Sequence, residues 1–114
     1  MDRELGYGGG IAPSVSPQDR MIVLSPDALT DVERLRTFLD QANPGAARRA
    51  MAAILMAIER LQEFPDLGMT TGDAEIRQIV IRFGASGYIV RYAALAETGD
   101  ILVTRIWHGR EART

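Results

Sequence analysis

The sequence predicts an α+β fold in which an antiparallel sheet packs on an α-helical hairpin, in the order strand, helix, helix and three strands. Three observations lead to it: an apolar run at 21–24, two helical stripes over 26–63, and alternating apolar runs over 75–108. The length of 114 residues is that of one domain, expected at 21–114. Residues 1–20 are rich in glycine, proline and serine, and are expected to be a flexible tag, extension or mis-assigned start.

Each predicted helix begins with a capping residue followed by proline. Ser25 and Asn43 can accept a backbone N–H as N-caps, and the proline after each fits the first helical position. Pro65 ends the second helix, and the short joint between the helices predicts an antiparallel hairpin. Apolar residues recur at helical spacing, at Leu29, Val32, Leu35 and Leu39 and then at Ala47, Ala50, Met51, Ile54, Leu55, Ile58 and Leu61.

Three strands are predicted at 75–83, 87–95 and 100–108, and the short turns between them require antiparallel neighbours. In the last strand, alternation assigns the side chains to two faces: Leu102, Thr104 and Ile106 on one, and Ile101, Val103, Arg105 and Trp107 on the other.

Both faces of this sheet are largely apolar, but a helical hairpin covers only one of them. An uncovered face of this composition is a larger apolar patch than monomers usually expose. The sequence therefore predicts that a partner chain or a second copy covers it. The alternative is a central strand buried on both sides by the chain's own tail and loops.

The composition excludes several kinds of site. There is no cysteine, which excludes disulfides and thiolate metal sites and fits a reducing compartment. No signal peptide or membrane span is predicted, so the protein is expected to be cytoplasmic, without a membrane partner. The net charge of −2 divides into −1 over 1–20, −4 over 21–75 and +3 over 76–114. All 13 basic residues are arginine, so no lysine can act as a base or form a Schiff base. No cofactor or metal is expected.

The last predicted strand ends in a cluster of ionisable residues. His108, the only histidine, is followed by Arg110 and Glu111. RNA cleavage needs a base, an acid and positive charge on the phosphate, and His108 and Arg110 could supply part of this set, helped by Tyr88, Tyr92 or Glu111. The alternative is a structural histidine that holds a backbone group or a carboxylate.

Four arginines lie on the predicted strands: Arg77, Arg82, Arg91 and Arg105. They are either solvated or paired with helix acids such as Glu33 and Asp40, or they form a binding surface for an acidic partner peptide.

Several motifs, taken in order, resemble the RelE/ParE toxin superfamily over about 21–113. They are Ser25-Pro26-Asp27-Ala28, Asn43-Pro44 with Ala46-Ala47-Arg48-Arg49, Phe64-Pro65-Asp66-Leu67-Gly68, Arg77 with Val80, Ser86-Gly87-Tyr88-Ile89-Val90, Tyr92, and Arg105-Ile106-Trp107-His108-Gly109-Arg110-Glu111. The resemblance implies the toxin of a type II toxin–antitoxin module, with the element order given above. It also implies a cognate antitoxin whose C-terminal segment wraps the toxin. Candidate residues for binding the target or the antitoxin are Arg77, Arg82, Tyr88, Arg91, Arg105, Trp107, His108, Arg110 and Glu111.

Two activities occur in this superfamily. RelE-like members cleave mRNA on the ribosome with a set of basic side chains; at the corresponding positions this chain has Gln78, Val80 and Ile89, and Arg110 is the residue that matches. ParE-like members bind and poison DNA gyrase and need no proton-transfer site. The resemblance therefore favours a ParE-like gyrase inhibitor that is not an enzyme. The alternatives are a RelE-like endonuclease using His108 and Arg110, and a toxin-like fold that acts as a binding partner without toxicity.

Overall fold

The computed structural model describes residues 20–84 and 86–110 and confirms the predicted α+β fold. Most of the predicted flexible segment, and the candidate residue Glu111, lie outside the described residues. The elements follow in the order β1 (Ile22–Leu24), α1 (Pro26–Ala42), α2 (Pro44–Glu63), β2 (Met69–Thr70), β3 (Arg77–Phe83), β4 (Ser86–Ala94) and β5 (Ile101–His108).

The described strands form one sheet in the order β1-β5-β4-β3-β2. β3, β4 and β5 pair antiparallel, as the short turns between them require. β1 pairs parallel with β5, with Ile22 opposite Ile101, so the sheet is mixed. The two-residue β2, which the sequence did not predict, pairs with the beginning of β3. A parallel pair needs a long connection, which the intervening helices and strands provide here.

Both helices begin at the predicted caps. The Ser25 side-chain oxygen accepts the Ala28 N–H at 3.0 Å, and the Asn43 side-chain oxygen accepts the Ala46 N–H at 3.1 Å. Each oxygen occupies an N–H of the first turn that has no partner within its helix. The predicted starts of both helices are thereby confirmed.

The hydrophobic core lies between the helical hairpin and one face of the sheet. Tyr88, Val90 and Tyr92, at alternate positions of β4, enter it. The other core members come mainly from the helices and from β5: Ala28, Leu35, Ala50, Ile54, Ile58, Leu61, Ile79, Ile101, Val103 and Ile106.

The predicted division of the last strand into two faces is wrong. Ile101, Val103 and Ile106 all enter the core. The cause is a β-bulge: Arg91 pairs with Arg105 and Tyr92 with Val103, so no residue of β4 stands opposite Thr104 in the register, although the Thr104 hydroxyl donates to the Arg91 carbonyl at 3.2 Å. One extra residue reverses the alternation beyond it. The inner face therefore carries Ile101 and Val103 before the bulge, and Ile106 and His108 after it.

The phenol of Tyr92 fastens the turn after α2 to the sheet. Its hydroxyl donates to the Pro65 carbonyl at 2.7 Å and accepts the Gly68 N–H at 2.8 Å. A Cβ on Gly68 would lie 2.8 Å from the Tyr92 ring, so this close approach requires glycine. Burial raises the pKa of Tyr92, which keeps the phenol protonated as this donor.

Replacing Tyr92 with phenylalanine is expected to lower the free energy of unfolding by about 2 kcal/mol, because the buried Gly68 N–H and the half-buried Pro65 carbonyl lose their partner while the packing is kept. Urea denaturation of the variant and the wild type measures the difference. A change below about 0.5 kcal/mol would show that water replaces the hydroxyl in this turn.

Candidate functional site

A large apolar groove lies between α1 and α2. It has a volume of about 720 Å³. Below, this groove is called the interhelical groove. Its walls and floor are formed by Ile22, Leu24, Val32, Arg36, Asp40, Ala47, Arg48, Met51, Ala52, Ile54, Leu55, Ile58, Glu59 and Ile106.

An apolar side chain remains open to solvent in the interhelical groove. Leu55 lines the groove and is 55% exposed, while the adjacent Met56 is 66% exposed but does not line it. The charged lining residues comprise Arg36 and Asp40 on α1, and Arg48 and Glu59 on α2. An apolar floor with charges of both signs around it suits the apolar face of an amphipathic helix.

The outer face of the sheet, away from the helices, is less open than the sequence predicted. Trp107 is only 7% exposed, although Val80 is 56% exposed. The Arg91 guanidinium lies 4.9 Å from the centre of the Trp107 ring and covers part of it. The interhelical groove, at about 720 Å³, is also larger than the pocket of about 610 Å³ that includes Val80.

β1 is shorter than β5, and beyond it side chains of α1 form hydrogen bonds with the free backbone groups at the edge of β5. The buried Asp31 carboxylate accepts the Ile106 N–H at 2.8 Å, and Arg34 donates to the Ile106 carbonyl at 3.0 Å. Arg105 donates to Asp31 through two nitrogens, at 2.8 and 3.1 Å. The edge groups of Ile106 that β1 does not reach are therefore paired with α1.

The pKa of Asp31 reflects these contacts. Burial opposes ionisation, but the hydrogen bonds from Arg105, Arg34 and the Ile106 N–H outweigh it and lower the pKa to about 2. The same pairing raises the pKa of Arg105. At neutral pH the contact is therefore an ion pair.

His108 lies inside the fold rather than on an open rim. It is buried, with its ring 5.6 Å from that of Phe38 and 5.1 Å from that of Tyr88, centre to centre. Its Nδ1 accepts the Arg110 backbone N–H at 3.0 Å, while the Arg110 residue is exposed. Burial raises the pKa of Tyr88, which keeps that phenol neutral. The structure thus brings His108 and Arg110 together through the backbone.

The four strand arginines divide by their partners. Arg77 donates to the Gly68 carbonyl at 2.7 Å and lies 3.7 Å from the Asp66 carboxylate, so it holds the turn before β2. Arg105 is paired with Asp31, on α1 as predicted but not with Glu33 or Asp40. Arg82 is exposed. Arg91 belongs to the outer face, where its Nε donates to Gln78 at 3.1 Å.

Sequence reasoning missed both Asp31 and the interhelical groove. Asp31 did carry a signal, because it shares the helical stripe of Ala28 and Leu35, and all three are buried. An acid on an apolar stripe predicts a buried partner. The groove gave no comparable signal, since the distance between two helices is not encoded in the periodicity of either.

Residues 20–84 and 86–110 contain neither a metal-binding cluster nor a membrane-spanning helix. No group of three histidines, cysteines, aspartates or glutamates there is arranged to hold a metal ion. None of the helices in this part of the chain is long and apolar enough to cross a membrane.

Comparison with known proteins identifies the family. A family model described as the ParE toxin of the type II toxin–antitoxin system, parDE, matches residues 22–113, which is most of the chain. The chain belongs to the ParE toxin family. The resemblance seen in the sequence is thereby confirmed, and membership of this family implies a cognate antitoxin as partner.

Two relatives of this ParE-family toxin come from Caulobacter vibrioides. Toxin RelE1 is 38% identical over 92 residues, which make up 81% of this chain and 96% of that protein. Toxin RelE3 is 33% identical over 94 residues, which make up 82% of this chain and 99% of that protein. The chain is therefore similar to toxins named RelE, within the same superfamily.

A solved structure confirms the fold. The chromosomal ParDE toxin–antitoxin system from P. aeruginosa superposes with a TM-score of 0.61, over 77% of this chain and 94% of that chain. The sequence identity is 14%, so the likeness concerns the fold.

Proposed function

We propose that this ParE-family toxin acts in the cytoplasm by binding and inhibiting DNA gyrase. The observation that carries this proposal concerns the positions at which RelE-like enzymes have basic residues. At three of them this chain has uncharged side chains. Gln78, Val80 and Ile89 offer no positive charge there, and His108 is buried with Nδ1 occupied. Cleavage of RNA needs an accessible side chain that can transfer a proton, whereas inhibition by binding needs no proton transfer.

We further propose that the cognate antitoxin neutralises the toxin by placing an amphipathic helix in the interhelical groove. Met51, Leu55 and Ile58 lie one helical turn apart along the groove, which suits a helix that presents apolar residues at i, i+3 or i+4, and i+7. The flanking charges fix its register rather than its affinity.

A second candidate function is ribosome-dependent cleavage of mRNA. The observation that favours it is the similarity to proteins named RelE1 and RelE3. Arg110 is exposed and could hold a phosphate through its planar guanidinium.

Two assays with the purified toxin separate these functions. The first measures supercoiling of plasmid by gyrase, and the second measures the integrity of mRNA on translating ribosomes. The proposal predicts inhibited supercoiling, trapped cleaved DNA and intact mRNA. Cut mRNA with normal supercoiling would overturn it in favour of the endonuclease, and no effect in either assay would support a toxin-like fold without toxicity. Arg110→Ala is a useful variant but should weaken either activity.

His108→Asn is expected to leave gyrase inhibition per folded molecule within about twofold of the wild type. The asparagine oxygen lies near the position of Nδ1 and can still accept the Arg110 N–H, whereas it cannot act as a base. The supercoiling assay, corrected for the folded fraction by circular dichroism, measures this. Loss of activity in a folded variant would count against a purely structural histidine.

A further inference from the structure

A second, smaller pocket lies on the outer face of the sheet, on the side opposite the helices. Its volume is about 320 Å³. It opens between the loop after β2 and the bulged part of β5, and its lining is Thr71, Gly72, Asp73, Ile76, Arg91, Thr104 and Arg105. Arg91 and Arg105 are directly opposed across β4 and β5.

The two guanidinium groups are held in place by contacts that leave donors unused. Arg91 is fixed by Gln78 through Nε and by stacking on Trp107. Arg105 is fixed by Asp31 through Nε and Nη2. Within residues 20–84 and 86–110, neither Nη group of Arg91 nor the Nη1 group of Arg105 has a hydrogen-bond partner.

The charges of the two arginines indicate which kind of ligand this pocket would bind. Like charges directly opposed across two strands repel each other, and Asp31, shared between Arg105 and Arg34, does not neutralise Arg91. An oxyanion between the opposed arginines would remove the repulsion and fill the unused donors. Asp73 also lines the pocket, and its charge together with that of the nearby Glu75 repels an extended polyanion such as a nucleic acid. A single carboxylate therefore suits the charges around this pocket better than an extended polyanion does.

We infer that Arg91 and Arg105 form a binding subsite for one carboxylate, presented by an acidic side chain of a polypeptide that crosses the outer face. The polypeptide is the antitoxin partner of the proposed function, and the subsite adds a second contact on the face away from the interhelical groove. Arg91 acts as a planar fork here, so lysine is not an equivalent replacement.

The test uses the full chain, with its arginine Nε–Hε signals followed by NMR. The probes are the peptides acetyl-Ala-Glu-Ala-amide and acetyl-Ala-Gln-Ala-amide and the oligonucleotide dT8. The glutamate peptide is expected to shift the Arg91 and Arg105 signals saturably, and its Kd should rise at least tenfold in Arg91→Gln. Arg91→Lys should weaken binding to a similar degree, whereas Arg82→Gln, an exposed arginine on β3 outside the pocket, should not change it.

Equal shifts with the glutamine peptide, or equal losses in Arg82→Gln, would overturn the subsite. Tighter binding of dT8 that depends on Arg91 would also overturn it, in favour of a nucleic-acid contact. Arg91→Gln keeps the Asp31 network intact, and unchanged backbone amide signals elsewhere verify its fold. Leu55→Glu should not alter peptide binding, so failure of the groove proposal and failure of the subsite are distinguishable.

Discussion

Replacing Asp31 with alanine is expected to lower the free energy of unfolding by about 3 kcal/mol, the largest effect of any single substitution considered. The buried carboxylate pairs Arg105 and Arg34 and accepts the Ile106 N–H, so its removal leaves a backbone donor without an acceptor. Arg34 and Arg105 are partly exposed, so water can hydrate their guanidinium groups once the carboxylate is gone. The expected loss in free energy of unfolding is therefore at the lower end of the range for breaking a buried ion pair.

Chemical denaturation at pH 7 measures this difference, with Glu33→Ala as the matched control. Glu33 is an exposed acid on the same helix, so its replacement should change the free energy of unfolding by less than about 0.5 kcal/mol. Equal effects of the two substitutions would contradict the role given to Asp31.

The lowered pKa of Asp31 gives this contact a pH dependence of known sign. Because the pKa falls from 3.8 in the unfolded chain to about 2 in the fold, the folded state binds fewer protons between these values. The stabilisation is therefore complete above about pH 4 and is lost as pH falls through 2, by about 2 kcal/mol in total. Asp31→Asn should lack this contribution, which denaturation curves between pH 2 and 5 would reveal.

Replacing Leu55 with glutamate is expected to weaken binding of the cognate antitoxin by about 100-fold. The substitution places a charge in the apolar interhelical groove, and the antitoxin helix would have to bury it unpaired. Leu55 is half exposed in the free toxin, so the stability of the toxin should change little. Calorimetric titration of the antitoxin into the purified variant measures the affinity.

Met56→Glu is the matched control for Leu55→Glu. Met56 is the next residue on α2 and is more exposed, but it does not line the groove. It should leave affinity within about threefold of the wild type, and cells that express it with the antitoxin should survive. Equal weakening by both variants would indicate a general effect of charge on α2.

Elements with local signals could be predicted from the sequence. The capping residues Ser25 and Asn43 marked both helix starts, and apolar alternation located β3 and β4 within about two residues. The parallel pairing of β1 with β5 has no local signal, because its partners are nearly 80 residues apart. β2 is too short for alternation to show.

The candidate site was less predictable because it depends on departures from regularity. The bulge at Thr104 reverses the faces of β5, so a strict period of two separated Ile106 from Ile101 and Val103, which share the core face in the structure. The sequence predicted His108 at an open rim of the sheet, but its ring faces inward, where it lies against Phe38 and Tyr88. The direction of the side chains at the end of β5 therefore depends on one bulged residue, Thr104, which periodicity alone does not reveal.

The most direct measurement follows the methyl signals of the toxin by NMR as the cognate antitoxin is added. If the antitoxin helix occupies the interhelical groove, the largest shifts will come from Met51, Leu55 and Ile58. Shifts confined to Val80, Ile89 and Leu102 on the outer face, with the groove methyl groups unchanged, would contradict it.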